Sequence, residues 1–515
     1  MKALCDKLLS QKFMGINYCL WIVCLFGILL RTAQYLYNRS LWLDELSLSI
    51  NLIQCDFKGL FLPLSSHQLA PFGFLVLQKW AVMWLGPNGW GLRLVPLMSG
   101  ICAVLLFAKA ASMFLDRYRA LLAGTFFALC GSLIYYSSEA KQYSTDVLVV
   151  VILLLIFGNY LNLRKSGKMT AVNAAILGLM AAVSVWFSYT AAFVIGGLAV
   201  AVFIMDLSKG EAKYSPMMVL PALLVIFSLF CFGYLSFCNY FHGVPGHYRT
   251  YWKDDFLPLW PLNFWNFIWI IEKFDEVFKY PGGFYYTGIA AFCYFVGLKG
   301  ILTKDQTLGF GLIYPILLIL LASGLKLYPF AERLILFLVP LIIIPVASGL
   351  VDVMEIIQRW SRGFAIFLAV LLLFHPAFAA GYHLFHPRTR EEIQKVMNYV
   401  KQHYESGDEL YFYYPNKQVL DFYGKSILPK QKNSYVAAQG YVTFTKDLVR
   451  FKGDKRVWVI FSHLRQESDR LAVLTYLDSI GRCLMQYETK DFRMLFTLKP
   501  EISSAAYLYD LGSKP

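Results

Sequence analysis

The chain has 515 residues, of which 58% are hydrophobic and only 16% charged, with a mean hydropathy of +0.52. That composition excludes an ordinary soluble globular protein and leaves a polytopic membrane protein with room for a soluble region. A net charge of +14 would point a soluble protein towards nucleic acid. Here most basic residues before the C-terminal part sit in short links between apolar segments, where they set orientation, so nucleic acid is not read as a partner. The 10 cysteines fall mostly inside apolar segments and form no CxxC or His/Cys metal spacing, and Cys55 and Cys483 read as free thiols.

A spanning helix needs roughly 20 apolar residues. Lys2, Lys7 and Lys12 precede a first apolar segment from Asn17 to Tyr37 with no small-residue cleavage site, so it reads as a retained helix with a cytoplasmic N-terminus. Arg31 in its outer part either snorkels or meets a partner. The loop that follows carries Leu41-Trp42-Leu43-Asp44-Glu45. Adjacent carboxylates among apolar residues beside a bilayer are functional candidates, or else the solvated start of a helix. The short piece Phe72–Leu85 contains Lys79 and reads as interfacial. Counting it as a span would place Arg117 and Arg119, which follow the span Arg93–Leu115, outside.

A third span, Leu121–Tyr136, leads to the outer segment Tyr135–Asp146, and a fourth returns to Arg164, Lys165 and Lys168. The fifth and sixth turn around Tyr189 and come back to Lys209 and Lys213. The seventh, Pro216–Tyr240, enters an aromatic loop, Phe241–Gly283, which reads as an interfacial rim or a sugar platform. The eighth ends at Lys299 and Lys304, the ninth rises to Tyr328–Arg333, the tenth descends to Gln358–Arg362, and the eleventh is Gly363–Leu384. The fold class is therefore a polytopic α-helical membrane protein of about eleven spans. There is no repeat of fixed period. Residues 1–385 form the membrane part, with a first external loop at 38–92.

Charges become frequent in residues 386–515. Arg388–Glu405 has helical periodicity, with Ile393, Val396, Met397 and Val400 on one stripe. Glu409–Tyr414 and Arg456–Ser462 read as buried strands, Ser468–Ile480 as a helix, and Cys483–Glu488 and Phe492–Leu498 as closing strands. The alternation predicts a small α/β domain outside the membrane, with no phosphate-loop pattern among its glycines.

The basic links place several polar groups on one membrane face: Asp44, Glu45, His67, Gln68, Arg93, Glu139, Lys141, Tyr143, Asp146 and Arg333. A helix from Glu139 onward would put Glu139, Gln142, Tyr143 and Asp146 on a common face. A carboxylate there can act as a general base towards a hydroxyl or amine, and a cation at the same depth can hold a lipid phosphate as it leaves. Arg333, Lys141 and Arg93 are the candidate phosphate ligands, in that order. His67 reads as a loop histidine or an acid–base group, Tyr143 as a packing residue, and Asp146 as a site residue or the partner of a nearby lysine.

The Asp44-Glu45 stretch resembles the Asp-Glu motif in the first external loop of the GT-C glycosyltransferases. The nearest likeness is to the branch of protein O-mannosyltransferases and lipid A aminoarabinose transferases. His67-Gln68-Leu69-Ala70-Pro71 with Arg93-Leu94-Val95-Pro96 is similar to that branch's His…Pro and Arg-Leu-Pro pattern. Tyr136-Ser137-Ser138-Glu139-Ala140-Lys141-Gln142-Tyr143 is similar to its Tyr-Ser-x-Glu-x-Arg-x-Tyr segment, with Lys141 where Arg is usual, and Tyr328–Arg333 before Pro340 also fits. The resemblance covers residues 15 to 385 and extends more weakly to the tail. It implies a GT-C fold with a C-terminal external domain, a polyisoprenyl-phosphate-linked sugar as donor, inversion at the anomeric carbon, and Asp44 of the pair as base. Lysine at position 141 would contact phosphate as a point charge and not as a fork. Metal use varies among GT-C enzymes, so a divalent metal stays open, and no other cofactor is implied. The acceptor is an envelope glycolipid, glycan or protein.

The rival reading is a transporter or flippase of polyprenyl-linked glycans, which would carry ionisable groups and broken helices near mid-span. A third is a scaffold whose tail binds a partner. The expected setting is a bacterial inner membrane with the site and residues 386–515 on the periplasmic side; the Asn38-Arg39-Ser40 sequon would matter only in a eukaryotic lumen. A membrane-impermeant thiol reagent should therefore label Cys483, or a cysteine placed beside it, in intact cells. Protection in cells with labelling in detergent would reverse the orientation.

Overall fold

The computed structural model describes residues 2–208, 250–259, 263–413, 417–424, 434–436, 447–454, 456–463, 467–491 and 501–512. The helices are α1 (Lys2–Leu36), α2 (Leu43–Gln54), α3 (Phe72–Leu85), α4 (Gly89–Phe114), α5 (Arg117–Leu129), α6 (Gly131–Tyr136), α7 (Tyr143–Lys165), α8 (Ala171–Phe187) and α9 (Ala191–Ser208). After them come α10 (Phe264–Lys279), α11 (Thr287–Lys304), α12 (Gln306–Gly324), α13 (Val339–Ile357) and α14 (Arg362–Phe385).

Several begin where a side chain answers the free N–H groups of a first turn. Asn88 caps α4, Asp116 caps α5, Thr170 caps α8, Asp305 caps α12 and Ser361 caps α14. Among the described residues, 7 helices are long and apolar enough to cross a membrane. The expected count of eleven is not reproduced there, for identifiable reasons. The third span is broken at Cys130 into α5 and α6. The helix α8 is a shorter apolar helix, as is α3, the piece read as interfacial, and α11, the eighth expected span, is not among the seven. The seventh expected span lies outside the described residues.

Two expectations need correction. Part of the aromatic loop is the helix α10, which turns Phe264, Trp265, Phe267 and Ile271 outward. Such an apolar face with a polar back suits a helix lying in the membrane interface. Nor is Glu139 helical: residues 137–142 form turns and α7 starts only at Tyr143, so Glu139 and Asp146 do not share a helix face.

The bundle core joins α4, α5, α7, α11, α12 and α13. At the α11–α13 crossing the backbones touch through Gly297 and Gly349, where an added Cβ on Gly349 would meet the Cys293 carbonyl at 1.8 Å. Only glycine permits that approach. The crossing seats α13, whose preceding 3-10 turn, Glu332–Leu338, carries Arg333. Arg31 of α1 is buried and has a partner: its guanidinium donates to the Gly27, Phe127 and Ala128 carbonyls. Those contacts tie α1 to the break after α5.

Beyond α14 lie α15 (Ile393–His403), β1 (Glu409–Phe412), β2 (Ser434–Val436), β3 (Val457–Ser462), α16 (Glu467–Ile480), β4 (Arg482–Asp491) and β5 (Glu501–Asp510). The strand order is β2-β1-β3-β5-β4, with β1 parallel to β2 and β3, and β5 antiparallel to β3 and β4. Strand β3 is central and buried throughout, as its unbroken apolar run demands. The stripe Ile393, Val396, Met397 and Val400 is fully buried, although the helix begins at Ile393 and not at Arg388. The expected closing strand Phe492–Leu498 lies outside the described residues; the closing strand seen is β5.

Side chains alternate across the sheet. Tyr411, Val459, Phe461 and Tyr507 face Val473 and Leu477 of α16. Leu410, Phe412, Trp458, Ile460 and Leu508 face α15 and share one apolar cluster with Leu41, Leu46, Leu48, Leu52, Phe74 and Leu75. The sheet and the loop bearing Asp44 are thus buried against each other.

Candidate functional site: a carboxylate between two cations

Successive residues of a helix project about 100° apart, so the adjacent carboxylates at the start of α2 point to different surroundings. Glu45 points inward and is fully buried. Its Oε1 accepts from Arg93 Nε at 2.8 Å and from the Ala140 N–H at 2.8 Å; its Oε2 accepts from Arg93 at 2.7 Å and from Arg39 at 2.7 Å. Arg93 spends its remaining donors on the Arg39 and Ser40 carbonyls. Burial pushes the Glu45 carboxyl up, but Arg39 and Arg93 outweigh it and hold it below the usual carboxylate range. This is a buried ion cluster in which Arg93 grips Glu45 through both carboxylate oxygens. It joins the first loop to α4 and to the 137–142 turns.

Asp44 points into the site, with 22% of its side chain exposed. Lys141 Nζ lies 2.9 Å from its Oδ1, and an Arg333 nitrogen 3.7 Å from its Oδ2. Burial raises this carboxyl and the two cations, Lys141 first, bring it down to about 2. Asp44 is therefore ionised throughout the neutral range. The stability its pairing supplies is present above the ordinary aspartate value of about 3.9 and is lost as pH falls through about 2.

Lys141 also donates to Gln68 Oε1 at 2.5 Å. Its partners are therefore Asp44 and Gln68, and not the neighbouring Glu139. Arg333 donates from Nε to the Tyr143 hydroxyl at 3.0 Å and lies over the rings of Trp42 and Trp252. Tyr143 thus orients a charged group as well as packing.

Glu139 is buried 3.7 Å from Arg39, and neither of its oxygens accepts a hydrogen bond among the described residues. Burial, then the Glu45 carboxylate, pushes its carboxyl up. Asp146 is buried under the α8–α9 turn near Ser188, and no lysine or arginine bridges it among the described residues. His67 is exposed on the Ser65–His67 turn, while its neighbour Gln68 reaches the site. Among the described residues no three His, Cys, Asp or Glu side chains converge as metal ligands; Asp44, Glu45 and Glu139 each face a cation.

Several site residues were not read from the sequence. Arg39 completes the Glu45 cluster. From the segment after α14, Arg390 stacks 3.5 Å from the Trp42 ring centre and Arg388 lies over Tyr135. Glu391 accepts from the Leu43 N–H and from His463 Nδ1 at 2.7 Å, and Tyr423 accepts from the Leu41 N–H at 2.7 Å. A signal existed: Arg388 and Arg390 are charged residues directly after the last long apolar run.

No model of a known protein family matches the chain, and no curated protein matches it. Solved structures do. ArnT from Cupriavidus metallidurans in the apo state is 11% identical, with a TM-score of 0.51 over 95% of this chain and 97% of that one. The same ArnT bound to undecaprenyl phosphate gives 11% and 0.51 over 95% and 98%. The oligosaccharyltransferase of Archaeoglobus fulgidus in its apo form gives 10% and 0.51 over 95% and 76%. At these identities the likeness is one of fold. The chain has the GT-C membrane fold with a sheet-containing C-terminal region.

Removing Glu45 would leave Arg39 and Arg93 buried without a counter-charge. Glu45→Ala should cost about 3–5 kcal/mol, read as a drop in thermal unfolding temperature of the purified protein. Asp44→Asn, which keeps the shape of a part-exposed side chain and loses only its pairing with Lys141 and Arg333, should lower it less. A Glu45→Ala variant that melts with wild type, or above Asp44→Asn, would contradict the scaffolding role of Glu45.

Proposed function

We propose that the chain is an integral membrane glycosyltransferase that moves a sugar from a polyisoprenyl-phosphate donor to an envelope acceptor at the outer face of the membrane. The observation that carries the reading is Asp44, held between Lys141 and Arg333 at one end of a GT-C bundle. The fold likeness to ArnT, one structure of which holds undecaprenyl phosphate, supports it. So does the gathering of ionised groups at helix ends, where a transporter would carry them near mid-span.

The chemistry follows from charge. The donor phosphate competes with Asp44 for Lys141 and Arg333. Its arrival takes cations away from the carboxylate and adds an anion nearby, and both effects raise the proton affinity of Asp44 from about 2 towards the ordinary carboxylate range. Asp44 then accepts the proton of the acceptor hydroxyl or amine as its oxygen or nitrogen attacks the anomeric carbon. The bond from that carbon to the phosphate oxygen breaks, and Lys141 and Arg333 hold the charge that develops on the departing phosphate. A single displacement inverts the anomeric configuration. In this scheme Glu45 and Arg93, both expected at the site, act as scaffold.

Transfer by the purified protein in reconstituted membranes, offered a panel of polyprenyl-phosphate sugars, tests the assignment. Asp44→Asn should lose about 100-fold or more in rate. Arg333→Ala should weaken donor use by about 2–4 kcal/mol, and Arg333→Lys should recover part of it. A fully active Asp44→Asn variant would remove the base from this account.

A further inference from the structure

The segment that leaves α14 is held tightly against the site. Gln34 and Arg388 exchange two hydrogen bonds, at 2.8 Å and 3.0 Å, through the Gln34 amide and the Arg388 backbone. Glu391 accepts from the Leu43 N–H and the Ser462 hydroxyl, both at 3.3 Å, and meets His463 at 2.7 Å. The Gln394 N–H donates to the Ser40 hydroxyl at 3.1 Å. Between these fastenings the chain presents Arg390.

Arg390 lies 3.5 Å from the centre of the Trp42 ring, and Arg333 lies 5.4 Å from the same centre. Two guanidinium groups thus flank the tryptophan two residues before Asp44. The charges nearby are unevenly matched. Arg39 and Arg93 are answered by Glu45, with Glu139 beside Arg39. Lys141 and Arg333 share Asp44, and Glu332 lies 3.6 Å from Arg333. Arg390 donates no hydrogen bond and has no carboxylate within 4 Å among the described residues, since the adjacent Glu391 is turned to Leu43 and His463. Asp44, Glu139, Tyr135 and Tyr136 lie within its electrostatic range only. A cation–π contact uses the charge of a guanidinium and leaves its N–H donors unspent. A partly enclosed cation with idle donors, beside another cation already assigned to a phosphate, is built for an anion with several acceptor oxygens.

We infer that Arg390 binds a second phosphate group, next to the donor phosphate held by Lys141 and Arg333. The inference rests on the glycosyltransferase reading above and extends it. The second phosphate comes either from a diphosphate-linked donor or from a phosphorylated acceptor.

Equilibrium binding to the purified full-length protein in nanodiscs separates these sources, with undecaprenyl phosphate, undecaprenyl diphosphate and short-chain phosphatidic acid as probes. If the donor supplies the second phosphate, wild type binds the diphosphate about 10-fold more tightly than the monophosphate, the scale of one charge-assisted contact. Arg390→Gln removes that difference and leaves monophosphate binding within about twofold, and Arg390→Lys retains part of it. If the acceptor supplies it, the two lipids bind alike, and phosphatidic acid binds to the monophosphate-saturated protein with an affinity that Arg390→Gln lowers about 10-fold. Unaltered binding of all three probes by Arg390→Gln overturns this inference and leaves the glycosyltransferase reading standing. So does a loss of monophosphate binding as large as that in Lys141→Ala, because Arg390 would then be a ligand of the first phosphate. A wild-type protein that binds no undecaprenyl phosphate overturns both. Unfolding temperature serves as the folding control.

Discussion

The site depends on one buried ion cluster, Glu45 held by Arg39 and Arg93. Two cations on one carboxylate, with backbone contacts to all three groups, make burial of charge tolerable. The cluster draws on three parts of the chain at once: the first loop, the start of α4, and the 137–142 turns through the Ala140 N–H. It also fixes the rotation of α2. With Glu45 locked inward, the neighbouring Asp44 has no choice but to face Lys141 and Arg333. Adjacent residues of one type therefore divide into a fully buried carboxylate and a part-exposed one that faces two cations, and environment alone makes the distinction.

The C-terminal region adds to the same assembly. The sheet face made by Leu410, Phe412, Trp458 and Ile460 shares its apolar cluster with Leu46, Leu48 and Leu52 of the helix that carries Asp44. Polar fastenings follow the same seam, from Glu391 to Leu43 and from Tyr423 to Leu41. A membrane bundle alone would leave the first loop half uncovered. The sheet excludes water from its far side, and the linker between bundle and sheet brings cations to the site. A fold of this class thereby acquires site residues far apart in sequence without lengthening any membrane helix.

How much of this was legible in the sequence follows from how local each signal is. Asp44, Glu45, Lys141 and Arg333 stood out because charge is rare beside long apolar runs. The stripe Ile393, Val396, Met397 and Val400 was readable from its period alone. The different surroundings of Asp44 and Glu45 were not, because they depend on Arg39 and Arg93 arriving from different elements. For Arg31 the sequence left snorkelling and a partner both open, and the partner is tertiary: backbone carbonyls exposed at the helix break after Leu129 take its donors. Strand β5 escaped notice because Ser503, Ser504, Ala505 and Ala506 carry none of the branched bulk that marks a strand. Arg390 gave only a distributional hint, and its stacking on Trp42 across a long stretch of chain is a purely tertiary fact.

Mass spectrometry of envelope glycolipids and glycoproteins, from cells with and without this protein, tests the central claim most directly. The account predicts that loss of the protein removes one sugar from a defined acceptor while the corresponding polyprenyl-linked donor accumulates. An unchanged set of acceptors and donors, or a polyprenyl-linked glycan that changes leaflet with no acceptor losing a sugar, would contradict it.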